Sequence, residues 1–319
     1  MALLQIELLG DLQMRSATGS LFTISAKKSQ ALLAYLGVKP SQRVSREKIA
    51  SLLWSSTGPD QARQSLRQTL STLRKELGQL SATDKILIEE NDLLGLDDSL
   101  VECDVAAFEP LVAAGTEESL SKASQLYRGD FLDGFQINEE RFDQWVIAER
   151  DRLHRMALRA HMQLLELQSR RGAVDDAIAT AQRSLRIDIL QEPMHRSLMR
   201  LYMQSGDLVN ALQQYETAAK VLKRELRIEP DAETKALHRE IVNLRAKTSS
   251  QAASAEELRK NILVVEDNVL NRELTNAVLK AAGYNVMIAK DGAEALMTIG
   301  RERVDLLLLD VDLPFIDGH

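Results

Sequence analysis

Leu66, Leu70, Leu73 and Leu77 recur at helical spacing within Ala62–Leu77, ARQSLRQTLSTLRKEL, and fall on one face of a predicted helix. The opposite face carries Arg63, Gln64, Arg67, Gln68, Ser71, Arg74 and Lys75, with no acid before Glu76. A solvated surface helix ordinarily mixes both signs, because opposite charges three or four residues apart stabilise it. Arg suits guanine edges, Gln suits adenine edges, and Ser and Lys suit phosphates, so this face has the side chains of a groove-reading helix. The plainer alternative is a surface helix that happens to be basic on one side.

Around it, the pattern predicts short strands at 3–7 (LLQIE) and 21–24 (LFTI), with turns at Gly10 and Gly19. A helix over Ser29–Val38 carries Ala31, Leu32, Leu33, Tyr35 and Leu36. A second, over Ser45–Trp54, has Ser45 as its cap and Ile49, Leu52, Leu53 and Trp54 inward. The turn Thr57-Gly58-Pro59-Asp60 precedes the third, with Asp60 placed to cap it. Ile86–Leu96 alternates around Asn91-Asp92 and reads as a hairpin. Strands, three helices and a hairpin make a winged helix, in which the third helix enters the major groove and the hairpin lies beside the backbone.

From Asp104 to about Leu244 the pattern is helical almost throughout: two short helices, a loop at Tyr127–Phe135 (YRGDFLDGF), then a long amphipathic helix from about Phe142 to Arg171. Arg170–Leu185 and Gln204–Ala219 align at an offset of 34 residues, matching Gly172 to Gly206, Ala177 to Ala211 and Leu164 to Leu198. That period, with a Gly turn and a small Ala in the second helix, is the tetratricopeptide pattern, where neighbouring repeats bury a continuous core. Ala246–Glu257 (AKTSSQAASAEE) is small and polar without periodicity and reads as a flexible linker. Beyond it, Asn261–Asn268 (NILVVEDN), YNVMIAKDGAEALMTIG and VDLLLLDVDLPFIDGH alternate apolar strands with helices, which implies a parallel sheet. Acids at the strand ends meet at its carboxyl edge, where doubly wound folds bind ligands.

Composition narrows the classes. The 319 residues suffice for two or three domains, and 45% hydrophobic residues supply real cores. Cys103 is the single cysteine, which excludes a disulfide framework and fits a reducing cytosol. The N-terminal MALLQIELLGDL lacks a basic leader, and no apolar run approaches the about 18 residues of a membrane span. A soluble cytoplasmic protein with no membrane partner is expected. The net charge of -7 hides an asymmetry: between Lys27 and Lys75 ten basic residues face only Glu47 and Asp60. A local positive excess of this size is the footprint of a DNA-facing surface. The five histidines (His154, His161, His195, His238, His319) have no metal-ligand spacing, and no phosphate loop, GxGxxG, GxSxG or HExxH is present. No motif of an enzyme is found.

LLGDLQM, KKSQALLAYL, VSREKIASLLW and ARQSLRQTLSTLRKEL, in that order, resemble the OmpR-type winged helix of the SARP family of bacterial transcriptional activators. YRGDFLDGF, Trp145 with Glu149 and Arg150, the repeats and Arg224–Thr234 resemble the bacterial transcriptional activation domain that follows it in that family. The resemblance covers about 1–244. It implies DNA recognition by Arg63, Gln64, Arg67, Gln68, Ser71, Arg74 and Lys75, activation of transcription, and dimers or contacts with RNA polymerase. The wing departs from the family: EENDLLGL stands where a Gly-Tyr strand is usual. Glu89, Glu90 and Asp92 near its tip would repel phosphates, so a wing turned toward a protein is expected.

Glu266, Asp267 and Asp310, with DVDLPFIDG, resemble the receiver domain of a response regulator. The resemblance implies Asp310 as phosphoacceptor, Glu266 and Asp267 as acids for Mg2+, and the Asp312 carbonyl as a further ligand. Three carboxylates are hard oxygen ligands suited to that ion. EDNxxN (Glu266–Asn271) is similar to receivers fused to hybrid sensor kinases. The sequence stops at His319, after the third of five strand–helix units, so a fragment with latent phosphorylation and an uncovered LLLL edge is expected.

The expected architecture is a mostly α multidomain protein. It has a winged helix (α+β) at 1–103, a tetratricopeptide-like helical domain at 104–245, a linker at 246–259 and a partial doubly wound α/β receiver at 260–319. The expected function is a DNA-binding transcriptional activator, with double-stranded DNA, RNA polymerase, and a sensor histidine kinase or phosphotransfer protein as partners, and a homodimer as an option. The rival is a protein-interaction module of a phosphorelay or signalling kinase that does not read DNA.

Overall fold

The computed structural model describes residues 2–81, 85–257 and 260–310, the side chains of 250–257 excepted. The chain divides into two compact units, Met1–His238 and Arg239–His319. Among the described residues no helix is long and apolar enough to cross a membrane.

The first unit opens with β1 (Leu4–Glu7), β2 (Gly10–Asp11) and β3 (Gln13–Ser16). Alternation along β1 buries Leu4 and Ile6, and β1 pairs antiparallel with β3. The strand expected at 21–24 does not form. Gln13–Ser16 takes its place beside β1, and the later segment only follows it, Phe22 donating its N–H to the Met14 carbonyl at 2.9 Å. Next come α1 (Lys27–Gly37), β4 (Val44–Ser45), α2 (Arg46–Leu53) and α3 (Pro59–Leu77). Ser45 caps α2 as expected, its Oγ accepting from the Lys48 N–H at 3.3 Å. Ile49 and Leu53 are buried, but Leu52 and Trp54 are only half-buried.

Asp60 does not cap α3. Gly58 occupies that position without a side-chain bond, and Pro59 begins the helix, where its fixed φ and missing N–H cost nothing. The hairpin follows as β5 (Leu87–Glu90) and β6 (Leu93–Leu96), turning at Asn91, whose φ is 52°. β6 also pairs with β4, and β7 (Val101–Cys103) returns parallel to β1. The resulting sheets, β3-β1-β7 and β4-β6-β5, complete a winged helix.

The helical part comprises α4 (Asp104–Ala114), α5 (Glu117–Leu126), a short β8 (Phe131–Asp133), α6 (Glu140–Arg171), α7 (Val174–Ile187), α8 (Glu192–Gln204), α9 (Leu208–Glu225) and α10 (Ala232–Glu257). The segment expected as a loop at Tyr127–Phe135 therefore contains a strand. Its partner is β2, with Gly10 opposite Phe131 and Asp11 opposite Asp133. Strands of two and three residues are too short to show an alternation. The expected linker at Ala246–Glu257 is also not irregular: α10 continues to Glu257, because the run contains several alanines and no Gly or Pro to stop a helix.

The winged helix and the helical domain share one core, which runs from Leu4 to Ala157. Trp145 packs its ring against Tyr35, Phe131 and Phe142 at centroid separations of 4.9, 5.5 and 5.3 Å. Arg150 donates to the Phe131 carbonyl at 3.0 and 3.1 Å and to the Leu132 carbonyl at 3.1 Å. Leu132 has φ 51°, a left-handed conformation costly for a side chain with a Cβ, and these bonds hold it there. The buried Asp104 carboxylate accepts from the N–H groups of Leu8 (2.9 Å), Leu9 (2.9 Å) and Val105 (2.8 Å). Burial pushes its carboxyl above the ordinary range, only partly offset by those N–H groups and by Arg128. Burial and the neighbouring Asp104 likewise push the Cys103 thiol up to about 12, which leaves it unreactive.

The repeat forms as expected. Gly172 and Gly206 end the first helix of each pair with φ 76° and 79°. Ala177 and Ala211 are fully buried where helices cross, and Leu165, Ala177, Ala181, Met194, Leu198 and Leu201 form one cluster across neighbouring helices.

The second unit is a parallel three-stranded sheet, ordered β10-β9-β11, with β9 (Asn261–Val265), β10 (Asn285–Ala289) and β11 (Leu306–Leu309). Its helices are α11 (Val269–Ala281), capped by Asn268, and α12 (Gly292–Ile299), capped by Asp291. The central β9 is buried, while all four leucines of the edge strand β11 are exposed, as expected of LLLL.

Candidate nucleic-acid interface and acceptor carboxylates

The apolar stripe of α3 seats the helix: Ala62, Leu66, Leu70, Leu73 and Leu77 are all buried. That orientation sets Arg63, Gln64, Arg67, Gln68, Ser71, Arg74 and Lys75 on the solvent side, and all seven are exposed. They do not form one uniform face. Arg63 pairs with Asp60 at 3.3 Å and with Glu47 at 4.0 Å. Arg74 pairs with Glu89 of the wing at 2.5 Å. The side chains of Gln64, Arg67, Gln68, Ser71 and Lys75 have no intramolecular hydrogen bond or ion pair among the described residues. These five are open to a ligand as they stand, with Arg67 and Lys75 supplying the charge.

The wing corrects an expectation. Glu89 is not an outward acid at the tip. It is half-buried and bridges two cations, Arg74 on α3 and Arg46 at the start of α2. Arg46 is anchored a second time, its N–H donating to the Asp92 carbonyl at 2.8 Å. Only Glu90 and Asp92 remain exposed at the turn. No local pattern announces this bridge, because Arg46 and Glu89 lie 43 residues apart in sequence.

Glu139 was also without a signal in the sequence. It immediately precedes α6, and its carboxylate accepts from Lys28 Nζ (2.7 Å), Ser55 Oγ (2.9 Å) and the Ser56 N–H (3.1 Å). Burial alone would raise this carboxyl, but Lys28 and the two serine donors outweigh it and hold it below its ordinary value. Ser55 and Ser56 belong to the turn that leads into α3, so the helical domain grips the approach to that helix.

In the second unit, Glu266, Asp267 and Asp310 come together as expected. Their carboxylate oxygens lie within 4.8 Å of one another at the carboxyl edge of the sheet. Glu266 N–H donates to the Ala289 carbonyl at 3.1 Å and Asp310 N–H to the Val265 carbonyl at 3.0 Å, which fixes both backbones to neighbouring strands. Asn271 Nδ2 donates to Glu266 at 3.2 Å. Three hard carboxylate donors converging from two strand ends fit a divalent cation such as Mg2+. The expected Asp312 carbonyl ligand lies outside the described residues.

Comparison with known proteins matches two stretches of the chain to known families. The bacterial transcriptional activator domain family matches residues 103–242, and the response regulator receiver domain family matches 262–319. The receiver segment is 39% identical over 59 residues to the polar-differentiation response regulator DivK of Brucella anthropi, covering 18% of this chain and 48% of that protein. It is 40% identical over 58 residues to the sensor histidine kinase RcsC of Escherichia coli, covering 18% of this chain and 6% of RcsC. The chain thus spans about half the length of DivK and a small fraction of the kinase. Among solved structures, Mycobacterium tuberculosis EmbR in complex with a low affinity phosphopeptide superposes with a TM-score of 0.56 at 26% identity, over 80% of this chain and 70% of EmbR. The chain thus carries a bacterial transcriptional activator domain behind a winged helix and a response regulator receiver domain after it, an arrangement similar to that of SARP-type transcriptional activators.

Proposed function

We propose that the protein is a cytoplasmic, DNA-binding transcriptional activator whose output is set by a phosphorelay signal received at Asp310. The observation that carries DNA binding is the outer face of α3. Leucines hold the helix by its opposite side, and Arg67, Gln68, Gln64, Ser71 and Lys75 stand exposed without internal partners. In the bound state these side chains, with Arg63 and Arg74, meet base edges and phosphates of double-stranded DNA. The helical repeats offer the surface for RNA polymerase or for a second copy of the chain.

For the receiver, Glu266, Asp267 and Asp310 are the residues that would hold Mg2+. The ion would offset the negative charge that gathers when a phosphoryl group approaches three carboxylates. Asp310 is the nucleophile: a carboxylate oxygen forms a bond to phosphorus as the phosphorus–nitrogen bond of a donor phosphohistidine breaks, and the imidazole nitrogen takes up a proton. The donor is a sensor histidine kinase or a phosphotransfer protein.

A second reading, an interaction module that does not read DNA, draws on the neutralisation of Arg63 and Arg74 by internal acids. Selection of the chain against a random duplex pool at several salt concentrations separates the two. Each phosphate contact contributes roughly -0.9 to the slope of log affinity against log salt. A steep slope with an enriched motif supports the activator. A steep slope without enrichment means a basic patch that reads no sequence, and no binding at low salt sinks the reading in favour of the module. For the receiver, Asp310→Asn should abolish acid-labile phosphate incorporation from a small-molecule phosphodonor.

A further inference from the structure

Two clefts flank the first turns of α3, and they share two of their lining residues. One, of about 300 Å³, lies between α3 and the wing turn and is lined by Arg46, Glu47, Arg63, Arg67 and Asp92. The other, of about 180 Å³, lies between α2 and the first turn of α3 and is lined by Glu47, Ser51, Thr57, Arg63 and a residue from outside the winged helix, Arg141 of α6. Glu47 and Arg63 line both, so the two clefts adjoin, one reaching Asp92 of the wing turn and the other Arg141.

Arg141 is exposed and its side chain makes no hydrogen bond or ion pair among the described residues, whereas Arg63 beside it is already matched by Asp60 and Glu47. Arg141 is thus the uncompensated cation of its cleft. Its position is also locally unfavourable. It occupies the first turn of α6, where the helix dipole disfavours positive charge. Glu140 and Asp143 of the same turn offset that cost, yet neither pairs with the guanidinium, which stays open to an external partner. Its reach is set by a neighbour two residues earlier: the Glu139 carboxylate clamps Lys28, Ser55 and Ser56, which fixes the start of α6 against the turn entering α3.

We infer that the activator domain itself touches DNA, with Arg141 supplying a contact to a backbone phosphate next to those held by the recognition helix. The inference rests on the DNA-binding reading above. A phosphate contact from this site positions the duplex and carries no sequence information, while Arg67 on the outer face of α3 discriminates between bases.

The test measures affinity of the full chain for a selected duplex and for its shuffled counterpart across a salt series. Arg141→Gln should make the slope of log affinity against log salt shallower by about 0.9 on both duplexes, leaving their affinity ratio unchanged. Arg141→Lys should keep the slope, and Arg67→Gln should reduce the ratio. Thermal unfolding of Arg141→Gln should match the parent, since the side chain has no internal partner to lose. If the parent binds DNA and Arg141→Gln leaves the slope unaltered, the inference is overturned while the function stands. If the parent binds no DNA, the function has failed and the inference falls with it.

Discussion

A carboxylate oxygen of Glu89 on the wing accepts a hydrogen bond from Nε of Arg74 on α3 at 2.5 Å. The other oxygen of the same carboxylate takes Arg46. One acid therefore ties the wing to both α2 and α3, and it pairs Arg74 at the surface.

Glu89→Gln removes the charge that holds these arginines. Arg74, half exposed already, is then free to follow a phosphate. The expected outcome is tighter binding to any duplex and a salt slope steeper by about 0.9, with little gain in discrimination between sequences. An unaltered slope would mean that Arg74 reaches DNA in the parent despite Glu89, and Arg74→Gln would then lose that contact.

The contrast between the readable and the unreadable follows from the range of the interactions. The apolar stripe of α3, the Ser45 cap and the paired Gly172 and Gly206 turns are legible because each depends on spacings of a few residues. The convergence of Glu266, Asp267 and Asp310 is legible because strands of a parallel sheet deliver their ends to one edge. The Glu89 bridge, the Glu139 clamp and the pairing of β2 with β8 join residues far apart in sequence through charge and backbone bonds, which leave no period. The helical run to Glu257 was hidden for the opposite reason: small polar residues suit a helix and a linker equally.

Glu139 should matter to stability and to its pH dependence. Its ordinary value is 4.5, and the folded protein holds it lower. A depressed carboxyl contributes stability that is present above about 4.5 and is lost as pH falls through the folded value. Glu139→Gln leaves Lys28 without its carboxylate, with only neutral acceptors and the Trp54 ring beside it, and should cost roughly 2–3 kcal/mol at neutral pH. Denaturant unfolding at pH 7 and through the acid limb should show a parent whose lead over the variant shrinks below about 4.5. A lead that persists at low pH would assign the effect to shape and not to charge.

The edge strand β11 invites self-association. Leu306, Leu307, Leu308 and Leu309 are 50, 41, 38 and 37% exposed, and an edge of this kind is a template for another strand. Replacing Leu306 and Leu308 together by Lys should lower concentration-dependent light scattering of the chain without shifting the unfolding of the first unit. Equal scattering by parent and variant would place the association elsewhere.

His161 should make the helical domain sensitive to mild acid. It is fully buried on α6, with Nδ1 2.8 Å from the Ala157 carbonyl and Nε2 2.9 Å from Ser124 Oγ. A carbonyl can only accept, so Nδ1 carries the proton and Nε2 accepts from the Ser124 hydroxyl. Arg183 donates to that hydroxyl oxygen at 2.9 Å, so a second proton on the ring would meet a cation and lose its acceptor. Burial, followed by Arg183 and Arg186 and opposed by the bond to Ala157, lowers the histidine below its ordinary 6.5. The sign is that of a base depressed by folding. Below about 6.5 the unfolded chain takes up a proton that the folded site refuses, and stability falls with pH until the folded value is reached. One such group contributes at most about 1.4 kcal/mol per pH unit. Buried His195 acts in the same direction, so His161→Gln should flatten the fall between about pH 6.5 and 5 without removing it. If denaturant unfolding shows the same pH slope with and without His161, the ring is protonated in the folded protein and Ser124 has turned to accept from it.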